Sequence, residues 1–213
     1  MISARLRLVH DVLLLGPVRG LSTEAPRVAE ELEGFAPAAI GLGVSAEELK
    51  GLTDYFVVAD GEPVVPLTSN ELNEVRGLTR FGEVQVPNPS FVEAIRWGRD
   101  RTVPVAALDP SEEGSAELFA EHIGYVELVR RTVRERRVGR ALPTPATPDE
   151  FAIQWERRVS SGRGSRRLAQ ARNEYLGQQA TALARGAGSV AVVVDRERFD
   201  GIRSLLAAAG AAR

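Results

Sequence analysis

The residues of this 213-residue chain that could do chemistry are arginines and carboxylates standing where apolar runs end. In "LLLGPVRGLS", residues 13–22, a buried strand runs into a glycine turn and then a helix start, and the side chain projecting from the turn is Arg19. Three more apolar runs end at Gly43, at Asp109 and at Asp195, the last followed closely by Arg198. Ligands of a parallel α/β sheet bind outside the carboxyl ends of its strands, so a site would be built from these positions. Helix geometry adds Arg172, which shares the apolar stripe of its helix with Leu168 and Leu176. A guanidinium on a core-facing stripe needs a partner, because an unpaired buried charge costs several kcal/mol. Asp109 and Asp195 are the natural partners. Two arrangements satisfy this chemistry: a buried Arg–Asp strut, or a pocket whose guanidiniums hold a small anion.

Other chemistries lack their residues. The chain has no cysteine, which removes disulfides, thiolate metal sites and cysteine nucleophiles together. Its two histidines are His10, inside or before the first strand, and His122, read as the middle of a helix. Neither has a second histidine or cysteine at ligand spacing. The sequence contains neither a G-x-S-x-G elbow nor a Walker loop. "GPVRG" and "GLG" are glycine turns without the full dinucleotide-binding spacing. The run Arg130, Arg131, Arg134, Arg136, Arg137 and Arg140 is interleaved with Glu135 and preceded by Glu127, the pattern of a solvated helix face. Net charge is −2, so no global pull draws the chain toward nucleic acid or anionic lipid.

The elements that would position these groups alternate strand and helix. Residues 12–15 form an apolar run ending at Gly16, and Ser22 or Thr23 caps a helix with Val28, Leu32 and Phe35 on one face. "AAIGLGV" is a second strand, and Ser45 with Glu48 has the spacing of a capping box. "DYFVVADGEPVVPL" reads as a hairpin turning at Asp60-Gly61. A short capped helix and a proline-containing loop follow, then a helix over "SFVEAIRWGRD" and a strand over "TVPVAALD". Phe119, Ile123, Val126, Val129 and Val133 predict one long helix. "ALPTPATP" is a linker, a helix restarts at Thr147-Pro148, and after "SSGRGS" another runs from about 166 to 185. "SVAVVVD" is the last strand and a helix closes the chain. The expected architecture is a single α/β domain over 1–213: a mainly parallel or mixed sheet flanked by helices, with a helical insertion near 115–165.

The N-terminal run is interrupted by Arg5, Arg7, His10 and Asp11 and resembles neither a signal peptide nor a membrane span. With no apolar stretch long enough to cross a bilayer, a cytoplasmic, membrane-free protein is expected.

The order of elements resembles the TraB/PrgY family, which includes the TIKI proteases and is related in fold to erythromycin-esterase-like and ChaN-like proteins. The resemblance covers most of the chain and rests on the first strand and its glycine turn, "PAAIGLGVSAEEL", "EAIRWGRDRTVPVAALD" and "RNEYLGQQATALARGAGSVAVVVDRERFDGI". The family's arginine followed by Asp or Asn, ahead of the final strand, matches Arg172 and Asn173. Its G-x-x-H motifs become Gly16-Pro17-Val18-Arg19 and Asp195-Arg196-Glu197-Arg198, and its strand-closing glutamate becomes Gly43. Those groups are the ones proposed to hold a divalent metal in the proteolytic members. Guanidinium has no lone pair to give a metal and always carries charge. The resemblance therefore implies a pseudoenzyme that has lost its metal site, needs no cofactor, and works by binding a protein partner, a second copy or a small anion. The alternatives are a carboxylate- or metal-dependent hydrolase using Asp109 and Asp195, and an anion-binding module built on Arg19, Arg172 and Arg198.

Overall fold

A computed structural model of the chain describes residues 1–7, 10–55, 67–125, 127–130 and 142–211. Five strands, β1 (Ile2–Arg7), β2 (Asp11–Gly16), β3 (Ala39–Leu42), β4 (Val105–Ala107) and β5 (Val190–Val193), form one sheet in the order β1-β2-β5-β3-β4. The last four run parallel, and β1 pairs antiparallel with β2 at one edge. The α/β expectation holds, with a mixed, mostly parallel sheet. β1 was hidden in the sequence by its charges. Ser3 and Arg5 lie on the outer face, while Ile2, Ala4 and Leu6 pack against the core beneath. That alternation belongs to a one-sided edge strand, not to the continuous apolar run of a buried one.

The helices are α1 (Ala25–Phe35), α2 (Ala46–Tyr55), α3 (Ser69–Leu78), α4 (Pro89–Asp100), α5 (Glu112–His122), α6 (Pro148–Val159), α7 (Arg163–Ala187) and α8 (Arg196–Ala211). Side-chain caps start four of them, whereas α1 begins after Glu24 with no side-chain cap, so the cap expected from Ser22 or Thr23 does not form, and α7 begins after Gly162 without one. Thr68 makes a complete capping box with Glu71, and Asn88, Ser111 and Thr147 accept from backbone N–H groups of α4, α5 and α6. The box expected at α2 is only half formed. Ser45 Oγ accepts from Glu48 N at 3.1 Å, but its hydroxyl is engaged by Glu47, and the Glu48 carboxylate is left to point elsewhere.

Two corrections concern α5. The predicted long helix is broken after His122, because Ile123 is extended (φ −109°, ψ 94°) and Gly124 follows, and helical backbone resumes at 125 and 127–130, so His122 sits at a helix end, not in its middle. Val126, Val133 and the arginines from Arg131 to Arg140 lie outside the described residues, as does the hairpin expected around Asp60-Gly61.

Side chains from α1, α2 and α4 cover one face of the sheet, and those of α7 and α8 cover the other. The chain therefore leaves β2 and β3 toward one face and β4 and β5 toward the opposite one. Neighbouring strands whose connections part in this way leave a crevice at their carboxyl ends. A third apolar cluster, Val18, Leu21, Leu78, Phe151, Ala152 and Trp155, lies beside that crevice and ties α3 and α6 to the turn after β2. Among the described residues, no helix is long and apolar enough to cross a membrane.

Candidate functional site

The turn after β2 is strapped to a distant loop. Gly20 lies at φ 80°, and a methyl there would stand 2.9 Å from Val84 Cγ1. Ser22 N donates to Glu83 O and Gln85 N to Gly20 O, while Val18 N donates to the buried Glu24 carboxylate. Arg19 is thereby held at the mouth of the crevice. Its Nε stands 3.5 Å from Asp195 Oδ2. Asp195 stands two residues past β5, is buried, and accepts a hydrogen bond, 3.3 Å, from Asn88 Nδ2. Asn88 also caps α4 through the same side chain, so helix start and site share one residue.

The second half of the site lies on the α7–α8 side. Backbone pairing continues past β4, with Leu108 N donating to Leu42 O and Asp109 N to Val44 O, and this sets Asp109 at the strand ends. Arg198 grips Asp109 with a fork: Nη1 to Oδ2 at 2.9 Å and Nη2 to Oδ1 at 3.0 Å. Its Nε donates to Asn173 Oδ1 at 3.1 Å. Arg172 Nη2 donates to the same Asp109 Oδ2. Planar, bidentate Arg–carboxylate pairing of this kind is the strongest form of the interaction. Asp109 is 3 % exposed and Arg198 15 %, whereas Arg172 is 42 % exposed. Arg172 thus rides half out of the core, contrary to its place in an apolar stripe. Its long side chain leans from the helix toward the strand ends, although its Nε is buried with no hydrogen-bond partner.

Every residue singled out from the sequence lies along the carboxyl edge of the sheet, but they fall into two clusters. Arg19 pairs with Asp195, while Arg172, Asn173 and Arg198 gather on Asp109. Gly43 contributes backbone alone. A side chain there would meet Val194 at 3.1 Å and Leu176 at 3.3 Å, so the position is closed by apolar packing. Arg196, between the two clusters in sequence, turns away to Asp149 and Asp200.

Four further groups were not singled out from the sequence: Asn88, Glu48, Glu74 and Glu197. Arg19 opens onto a cleft of about 500 Å³ that is also lined by Glu48 and Glu74, with Leu52, Val75, Leu78, Val84 and Val86 forming much of its wall. Burial pushes the Glu74 carboxyl up to about 7, with Asp195, Glu156 and Glu71 adding to the rise and Arg19 opposing it. Burial, helped by Asp195 and Glu74, pushes Glu197 up to about 8. Glu48 is also raised by burial, against the pull of Arg19. Asp195 holds Arg19 above the ordinary arginine value, so its charge is permanent. Glu197 lies inside the Asp195-to-Arg198 motif, and Glu48 was marked in the sequence only as the capping-box partner of Ser45. Glu74 looked like an ordinary surface position of an amphipathic helix.

Among the described residues, no three His, Cys, Asp or Glu side chains stand together in a geometry that could hold a metal ion. No family model matches the sequence. Comparison with curated proteins finds no match either.

Proposed function

We propose that the chain is a non-catalytic binding protein of TraB-like design, in which the strand-end crevice has been converted from a reactive site into a structural lock beside a ligand cleft. The observation that carries this reading is the double occupation of Asp109. A carboxylate that serves as a base, a nucleophile or a ligand to a hard cation needs free lone pairs. Both oxygens of Asp109 are taken by the Arg198 fork, and Oδ2 also takes Arg172. Asp195 is similarly held by Arg19 and Asn88. Guanidiniums also repel any cation that approaches. What remains open is the cleft beside Arg19, which falls in the size range of small-molecule sites and is largely apolar with a few polar groups at one side.

The proposal covers partners as well. A protein or a second copy of the chain would be recruited through a bound or empty cleft, and no cofactor is called for. The test is turnover. Purified protein is assayed with activated esters and unstructured peptides, with zinc, manganese or cobalt added, beside the D109N/D195N double variant. The two proteins are expected to be indistinguishable at background. Hydrolysis by the parent that the double variant lacks would refute the reading in favour of a carboxylate- or metal-dependent hydrolase.

A further inference from the structure

The lining of the cleft beside Arg19 is unbalanced in a way that specifies its ligand. Its walls come from the turn after β2, from α2, from α3 and from the loop before α4, so it is built by elements from both ends of a long sequence interval. Among the described residues one cation faces it, Arg19, and that charge is already matched by Asp195 behind it. Two carboxylates face it with no hydrogen bond or ion pair to any described residue: Glu48, released from its expected capping role, and Glu74 on α3. The other acids on the wall are engaged, Glu71 in the Thr68 capping box and Asp54 with Lys50. Leu52, Val75 and Leu78 supply an apolar floor between them.

An anion entering this space would meet two unpaired carboxylates. A neutral apolar molecule would bury them without compensation, which is costly. A cation with an apolar body satisfies both halves of the lining. We infer that the cleft binds an organic ammonium compound, its charged nitrogen placed between Glu48 and Glu74 and its hydrocarbon body lying on Leu52, Val75 and Leu78. The inference rests on the binding reading above and names the ligand class for the same cleft. The high pKa of Glu74 has the same origin, since a buried carboxyl short of cations keeps its proton. A bound ammonium would drive that proton off.

The test uses three probes with one tail: nonylammonium, nonanoate and nonanol, titrated calorimetrically into the full chain near pH 6, where Glu74 still holds its proton. Nonylammonium is expected to bind one to one, at least about tenfold tighter than either of the others, a ratio equivalent to about 1.4 kcal/mol. E74Q should weaken it by about tenfold, and E48Q, whose carboxylate is exposed, by about threefold. E117Q, an exposed glutamate on α5, should leave it unchanged. Binding of nonylammonium should release a proton at this pH in the parent and not in E74Q, a signature a merely structural Glu74 would not give. Preference for nonanoate, or equal loss in E117Q, would overturn the ammonium assignment while leaving the binding reading intact. Failure of all three probes would overturn the assignment too. Hydrolytic turnover in the assay above is what would bring down the binding reading itself.

Discussion

Arg198 and Arg172 donate to the same carboxylate, yet the structure ranks them very differently. Arg198 is 15 % exposed and makes a fork on Asp109 plus hydrogen bonds to Asn173 Oδ1 and Arg172 O, so R198M removes four charge-assisted contacts and leaves the buried carboxylate with Arg172 alone. Each hydrogen bond to a charged group is worth about 1.5–3 kcal/mol net, and breaking a buried pair costs about 3–5 kcal/mol in all. Arg172 is 42 % exposed and makes a single contact to an aspartate that keeps its Arg198 fork. Solvent screening reduces its share, and R172M should cost no more than about 1 kcal/mol. Urea unfolding of the parent, both single variants and D109N provides the comparison, with unchanged m-values showing that only the native contacts moved. A double-mutant cycle should give Arg198 and Asp109 a coupling energy several times that of Arg172 and Asp109. Equal losses for R198M and R172M, or a loss below about 1 kcal/mol for R198M, would refute the lock at Asp109.

Stability should fall as pH rises through neutrality. Glu74 and Glu197 keep protons in the folded chain up to about 7 and about 8, whereas the unfolded chain releases them near 4.5. Their contribution is complete below about pH 4.5 and is lost as pH climbs to about 8, by up to about 3 kcal/mol for Glu74 taken alone. The groups facing Glu74 are Arg19, Asp195, Glu156 and Glu71, and only Arg19 among them works against the loss. Urea midpoints from about pH 5 to pH 8.5 should decline in the parent and flatten in E74Q/E197Q, and a parent profile that is flat or rising would contradict this. G41A should destabilise by about 1–3 kcal/mol, because a methyl on that strand glycine would stand 2.5 Å from Leu108 Cδ1 in a filled core. Thermal unfolding checks it, and an unchanged midpoint would mean that Leu108 moves freely.

The parallel core of the fold was legible because its strands are uninterrupted apolar runs followed by capped helices. β5 is buried along its whole length and β2 from Val12 onward, and both read as such. β1 was illegible because Arg5 and Arg7 break its apolar count, and only period-two spacing of Ile2, Ala4 and Leu6 marks it. The helix expected through Ile123 is interrupted there and resumes past Gly124, since an apolar residue at the right spacing can sit in a break as easily as in a helix. The positions at strand ends were found because topology alone brings them together. Their pairing was not found, since which arginine reaches which aspartate depends on side-chain direction across elements distant in sequence. Glu48 is marked locally only as a capping residue and Glu74 not at all: each becomes part of a site only because α2 and α3 close over the turn that carries Arg19.

The central claim is that Asp109 and Asp195 are engaged by guanidiniums, whose fixed positive charge keeps an ion away from them. Calorimetric titration of the chelator-stripped chain with zinc and with manganese, against D109N/D195N as reference, tests it most directly. The account predicts heats that match the reference throughout. One-to-one binding that disappears in the double variant would contradict it.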